Sequence, residues 1–133
     1  MKFAAVLFLF MGVLAFQGKT TWDGVYSDAQ AKRGEAVYTK TCSGCHGNDL
    51  MGGDAPSLTG SEFNVGWNDQ TADDLSERIR ISMPADSPGS LNRETVADIV
   101  AFIFAKDKFP AGSSDLPASS DLLKQIKILA QKP

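Results

Sequence analysis

Thr41-Cys42-Ser43-Gly44-Cys45-His46-Gly47 contains Cys-x-x-Cys-His, the spacing of covalent haem attachment. Two thiols three positions apart at a helix end lie on neighbouring edges of one turn, so both can add to vinyl groups at the rim of the macrocycle as thioethers. The next residue then projects its imidazole toward the iron. Cys42 and Cys45 are the only cysteines in the chain and His46 is its only histidine. Two other chemistries compete for them. A thiol–disulfide pair of the thioredoxin kind needs a βαβ context, and no alternating strand pattern of any length occurs here. A zinc site needs a fourth ligand, and no second Cys-x-x-Cys or histidine pair exists to supply it. Haem uses every cysteine and histidine present.

Around this motif the hydrophobic periodicity is helical. Ser27 with Gln30 three residues later forms a reciprocal helix N-cap, and Ala31, Gly34, Val37 and Tyr38 follow at helical spacing, which predicts a helix from Asp28 to Thr41. Residues 47–70, with Gly47, Gly52, Gly53, Pro56, Gly60 and Gly66, read as one long loop region. Thr71 caps a short helix carrying Leu75 and Ile79 that stops before Met83-Pro84. The clearest helix opens at Asn92 and carries Val96, Ile99, Val100, Ile103 and Phe104 as a core-facing stripe. A looser tail comes next, ending in a helical pattern of Leu122, Leu123, Ile126 and Leu129 capped by Ser119 or Ser120. The sum is a small all-α domain of about four helices joined by long loops. So few apolar side chains do not easily enclose a core, and a haem would fill its middle.

An iron held by one histidine leaves a sixth position, whose occupant decides between electron transfer and ligand binding. Met51 follows His46 by only five residues, which reach at most about 18 Å fully extended, so it has no slack to round the macrocycle. Met83 lies 37 residues downstream, enough for the chain to cross to the other face, and Pro84 holds it extended. Thioether ligation favours ferrous iron and closes it to oxygen. Met83 is therefore the expected second ligand, with ordinary packing at a helix end as the alternative.

The chain has 133 residues, 13 basic and 16 acidic, for a net charge of −3. One domain is the natural size reading, and the acidic balance gives no footprint for nucleic acid. Residues 3–16 are uncharged and apolar, too short for the ~20 residues that span a bilayer and suited to a signal peptide, with an uncleaved interfacial anchor or a buried helix as the alternatives. Cleavage after Ala15 is expected, with Gly18 as a later option. This predicts a periplasmic or secreted protein that does not span the membrane after signal removal.

Cys42 to His46, Met83-Pro84 and the aromatic-bearing helix after Asn92 together resemble a class I cytochrome c, from about Trp22 to Gly112. The stretches from Tyr26 to Gly34 and from Met83 to Leu91 are similar to bacterial exported members, some of which partner periplasmic dehydrogenases. The resemblance implies one covalent haem c enclosed by an N-terminal helix crossing a C-terminal one, with Gly34, Tyr38 and Phe102 at the crossing. It implies that the Pro56 carbonyl accepts a hydrogen bond from the His46 ring. It further implies Trp67 and Arg80 as partners of a haem propionate, and Leu58, Phe63 and Leu75 as pocket walls. The implied function is one-electron transfer between a dehydrogenase donor and a cytochrome or oxidase acceptor, with a haem-based sensor of small ligands as the alternative. Residues 113–133 lie outside the resemblance as a C-terminal extension.

Overall fold

The computed structural model describes residues 18–133, so the expected signal peptide at 1–15 lies outside the described residues. Helix α1 spans Asp28–Thr41 and is followed by a single turn, α2, at Ser43–His46. Then come α3 (Gly60–Trp67), α4 (Ala72–Ser82), α5 (Arg93–Lys106) and a last short turn, α6 (Ser120–Leu123). Two-residue strands β1 (Lys19–Thr20) and β2 (Ile126–Lys127) pair in parallel, Lys19 opposite Ile126 and Thr20 opposite Lys127.

The caps explain the helix starts. Ser27 Oγ accepts from the Gln30 N–H at 3.1 Å, Thr71 and Asp74 form a reciprocal capping box, and Asn92 Oδ1 accepts from the Thr95 N–H at 2.8 Å. The reciprocal cap expected at Ser27 is only half made. The Gln30 side chain turns inward instead and bonds the Leu116 backbone.

α1 crosses α5 at Gly34, where a Cβ would stand 1.8 Å from the Asp98 carbonyl oxygen and 2.9 Å from Phe102 Cβ. Only a glycine allows this approach. The Tyr38 and Phe102 rings lie 5.3 Å apart beside it, and Arg33 reaches both carboxylate oxygens of Asp98 at 3.2 Å. The expected stripe on α5 is buried, but Ala97, Ala101 and Phe102 are buried as well. α5 is enclosed on most sides rather than on one face.

Two expectations are corrected. Residues 47–70 are not one loop, because α3 forms within them. Its N-terminus is served by a carboxylate distant in sequence: Asp107 Oδ1 accepts from the Gly60 N–H at 2.9 Å. In this otherwise helical fold, β1 and β2 are too short to show an alternating period. The last helix stops at Leu123, and Ile126 enters β2, because the backbone there bonds to neighbouring segments rather than to its own preceding turn. As a result Leu123, Ile126 and Ile128 are buried, whereas Leu122 stays half exposed.

Candidate haem site

The turn that carries the thiols is built before any ligand is considered. Cys42 closes α1 by donating its N–H to the Tyr38 carbonyl at 2.8 Å, and the His46 N–H bonds back to the Cys42 carbonyl at 3.0 Å. The Tyr38 hydroxyl donates to the Gly47 carbonyl at 2.7 Å, which ties α1 to the residue after the histidine. Burial, with Cys42 and Asp49 nearby, pushes the Tyr38 phenol up to about 12, so it remains a donor.

The chain then folds back on this turn. The Gly52 N–H bonds the His46 carbonyl at 2.9 Å, the Ala55 N–H bonds the Cys45 carbonyl at 3.0 Å, and Leu58 pairs with the carbonyl of the fully buried Leu50 at 2.8 Å. Gly52 has φ +94°, a conformation other residues rarely adopt. The result is to set the Pro56 carbonyl oxygen 2.8 Å from His46 Nδ1. A carbonyl only accepts, so Nδ1 carries the hydrogen and Nε2 is the lone-pair nitrogen available to a metal.

The donor set fits a haem of the c type. Both cysteines are free thiols, Cys42 partly buried and Cys45 exposed, on the same turn as the oriented imidazole. Burial pushes the Cys42 thiol up. Among the described residues no group of three or more His, Cys, Asp or Glu side chains gathers where an ion could sit, so a zinc site has no ligand set there.

The remaining expected residues lie on α3 and α4 or immediately beside them. Met83 is the C-cap of α4, extended at φ −121° and ψ 155°, and half-buried. Trp67 ends α3, half-buried, with its ring 6.2 Å from that of buried Phe63. Leu75 is buried in the same core, and Leu58 packs against it half-buried. Arg80 is held by Glu77, with Nε 3.0 Å from Oε1 and Nη2 2.8 Å from Oε2. Arg93 joins them at 2.6 Å from Glu77 Oε1. The hydrogen bond from Arg80, aided by that from Arg93, holds the Glu77 carboxyl below its ordinary range. Glu77 was missed from the sequence, although its spacing of three from Arg80 on one helix was visible; its contact with Arg93 was not.

A cleft of about 260 Å³ lies elsewhere, between β1 and the C-terminal segment, lined by Val25, Asp115, Leu122 and Ile126 among others. None of the expected site residues lines it.

This helical fold, with its Cys-x-x-Cys-His turn, is that of a class I c-type cytochrome, whose haem iron is held in a covalently bound macrocycle. More particularly, a family profile described as "Cytochrome C oxidase, cbb3-type, subunit III" matches residues 29–103, and the chain belongs to that family. The chain is 33% identical over 61 residues to cytochrome c-551 of Bacillus subtilis (strain 168), covering 46% of this chain. It spans about half, 53%, of that relative's length. Among solved structures, the sulfane dehydrogenase SoxCD from Paracoccus pantotrophus aligns with a TM-score of 0.53 over 80% of this chain and 61% of the other. At 18% identity that likeness concerns the fold alone. The family and its haem make the chain a haem-based electron-transfer domain. Among the described residues no helix is long and apolar enough to cross a membrane.

Proposed function

We propose that the chain is an exported one-electron carrier whose haem is attached through Cys42 and Cys45 and ligated by His46 and Met83. It would pass electrons from a periplasmic dehydrogenase to a cytochrome or oxidase of the respiratory chain. When bound, the haem supplies an iron that alternates between the ferric and ferrous states. The observation that carries the reading is the 2.8 Å contact of His46 Nδ1 with the Pro56 carbonyl, on the turn that also bears both thiols.

The protein's own groups have distinct tasks. Pro56 fixes the ring tautomer and raises the basicity of Nε2. The thioethers from Cys42 and Cys45 anchor the macrocycle so that His46 meets it without search. Met83, presented from extended backbone at the end of α4, supplies a soft neutral donor that favours the reduced ion and keeps small ligands out. Trp67 offers an indole N–H to a propionate, and Arg80 a guanidinium already oriented by Glu77. The electron is the cargo, and no substrate bond is made or broken.

Support for a dehydrogenase donor comes from the stretches Tyr26 to Gly34 and Met83 to Leu91, which are similar to exported cytochromes that partner such enzymes. The acidic net charge, −3 for the full sequence and −4, from 12 basic and 16 acidic residues, once the expected signal peptide takes Lys2 away, favours a basic docking face on the partner and a salt-dependent encounter. The decisive experiment is spectroscopic. Ferric protein is expected to show a weak sulfur-to-iron band in the far red that Met83→Ala abolishes. Prompt carbon monoxide binding by the unaltered ferrous protein would replace this reading with the small-ligand sensor.

A further inference from the structure

Residues 113–133 fall outside the family match, which ends at 103, yet four of their apolar side chains are buried in the core. Leu116, Leu123, Ile126 and Ile128 are exposed by 2%, 1%, 4% and 0%. We propose that this segment is a positioning clamp that ties the α4 helix, and with it Met83, to the half of the molecule that holds His46. The proposal rests on the reading of Met83 as the second ligand.

The clamp has two grips. The first is on α1: the Gln30 amide donates to the Leu116 carbonyl at 3.0 Å, and its oxygen accepts the Leu116 N–H at 2.6 Å, both buried. Arg33, already on Asp98, also reaches Asp115 at 2.6 Å. The second grip is on residues 68–71, the short link between α3 and α4. The Asp69 N–H donates to the Ile128 carbonyl and the Ile128 N–H to the Gln70 carbonyl, each at 2.8 Å, while the Ala130 N–H donates to Asn68 Oδ1 at 2.8 Å. Trp22 Nε1 donates to the Leu129 carbonyl at 2.9 Å, and β1 flanks β2 on the other side.

The seized link is the place where α4 could swing. Asp69 has a left-handed φ of 65°, and Thr71 starts α4 through its capping box with Asp74. From there α4 runs unbroken to Met83, so a shift at Thr71 is carried to the thioether at the far end. A helix of eleven residues is a lever about 16 Å long. Residues 85–90, beyond Met83, are all exposed and give it little support of their own. Holding the link therefore adds to the hold that the Glu77–Arg93 bond and buried Leu75 already give α4, and so steadies the ligand.

The test uses the full haem-loaded chain with Ile128→Ala alone and with Asn68→Ala plus Trp22→Phe, beside Met83→Ala. Amide hydrogen exchange is followed in α4 and in α5, and carbon monoxide association with the ferrous protein is timed. Both clamp variants are expected to exchange at least tenfold faster in α4 with less than twofold change in α5, and to bind carbon monoxide at least tenfold faster. Unchanged exchange in α4, or equal acceleration in both helices, overturns the clamp. So does selective loosening of α4 with an unchanged carbon monoxide rate, provided Met83→Ala speeds that rate. If Met83→Ala changes neither spectrum nor rate, the ligand reading fails by itself, and exchange in α4 against α5 alone then decides whether the clamp exists.

Discussion

The segment after the thiols and the segment after α4 are both rich in glycine and proline, yet they are built in opposite ways. In residues 47–58 the backbone is knitted to the haem-attachment turn through the carbonyls of Cys45 and His46 and closes over the buried Leu50. In residues 83–91 the loop bonds are local turns, Ser87 to the Pro84 carbonyl at 2.9 Å and Ser90 to the Ser87 carbonyl at 3.3 Å. The side facing His46 is thus preorganised by the chain alone. The side bearing Met83 depends on the segments packed against it, so the proposed Met83 ligand would be the first to exchange.

The largest test of that contrast removes both thiols. Cys42→Ala with Cys45→Ala should let all colour pass into acidified solvent after denaturation, and the chain should lose its cooperative melt. Hydrogen exchange should then show protection surviving longest at the crossing of α1 and α5 and least at residues 83–91. A next, smaller effect is expected at the crossing itself. Gly34→Ala should cost about 3 kcal/mol by denaturant unfolding, because its Cβ would meet backbone rather than a movable side chain.

A matched pair of glycines separates the two loops directly. Gly52 and Gly89 both have positive φ, 94° and 77°, so each Gly→Ala change carries backbone strain of about 1 kcal/mol. An added Cβ at Gly52 also meets the Ala55 carbonyl oxygen and the Ser57 nitrogen at 3.1 Å, while at Gly89 the nearest atom is 4.0 Å away. Gly52→Ala should therefore destabilise more than Gly89→Ala; equal losses would erase the distinction between the loops.

The smallest effect concerns pH and the start of α3. Burial pushes the Asp107 carboxyl up to about 6, against the hydrogen bonds from Gly60 and Asn64 that favour its charge. A carboxyl raised in the folded state favours the protonated form, so its contribution is full below the unfolded value near 4 and is lost as pH climbs through about 6. The group is partly exposed, and solvent screening reduces the change to the order of 1 kcal/mol. Unfolding at pH 4 and 7 should show this loss, and Asp107→Asn, which keeps the acceptor for Gly60, should flatten it.

Much of the α1 and α5 architecture was legible because it rests on local rules. Ser27, Thr71 and Asn92 are caps that declare themselves by residue type, and the α5 stripe follows a period of 3.6. The fate of Gln30 was not legible: its spacing from Ser27 satisfies a local pattern, but a buried backbone 86 residues away made the better partner. Likewise α3 hid among glycines because the group that serves its start, Asp107, is 47 residues distant.

From the sequence alone came the cofactor chemistry, since two thiols and an imidazole at that spacing have one good joint use, and the helices whose apolar period and caps are written within a few residues. Tertiary structure alone decided which carbonyl meets His46 Nδ1, where Gln30 and Arg80 spend their hydrogen bonds, and that the C-terminal segment grips the link ahead of α4. Those contacts join groups tens of residues apart, and a polar side chain takes whichever partner folding brings within reach, information that no local pattern contains.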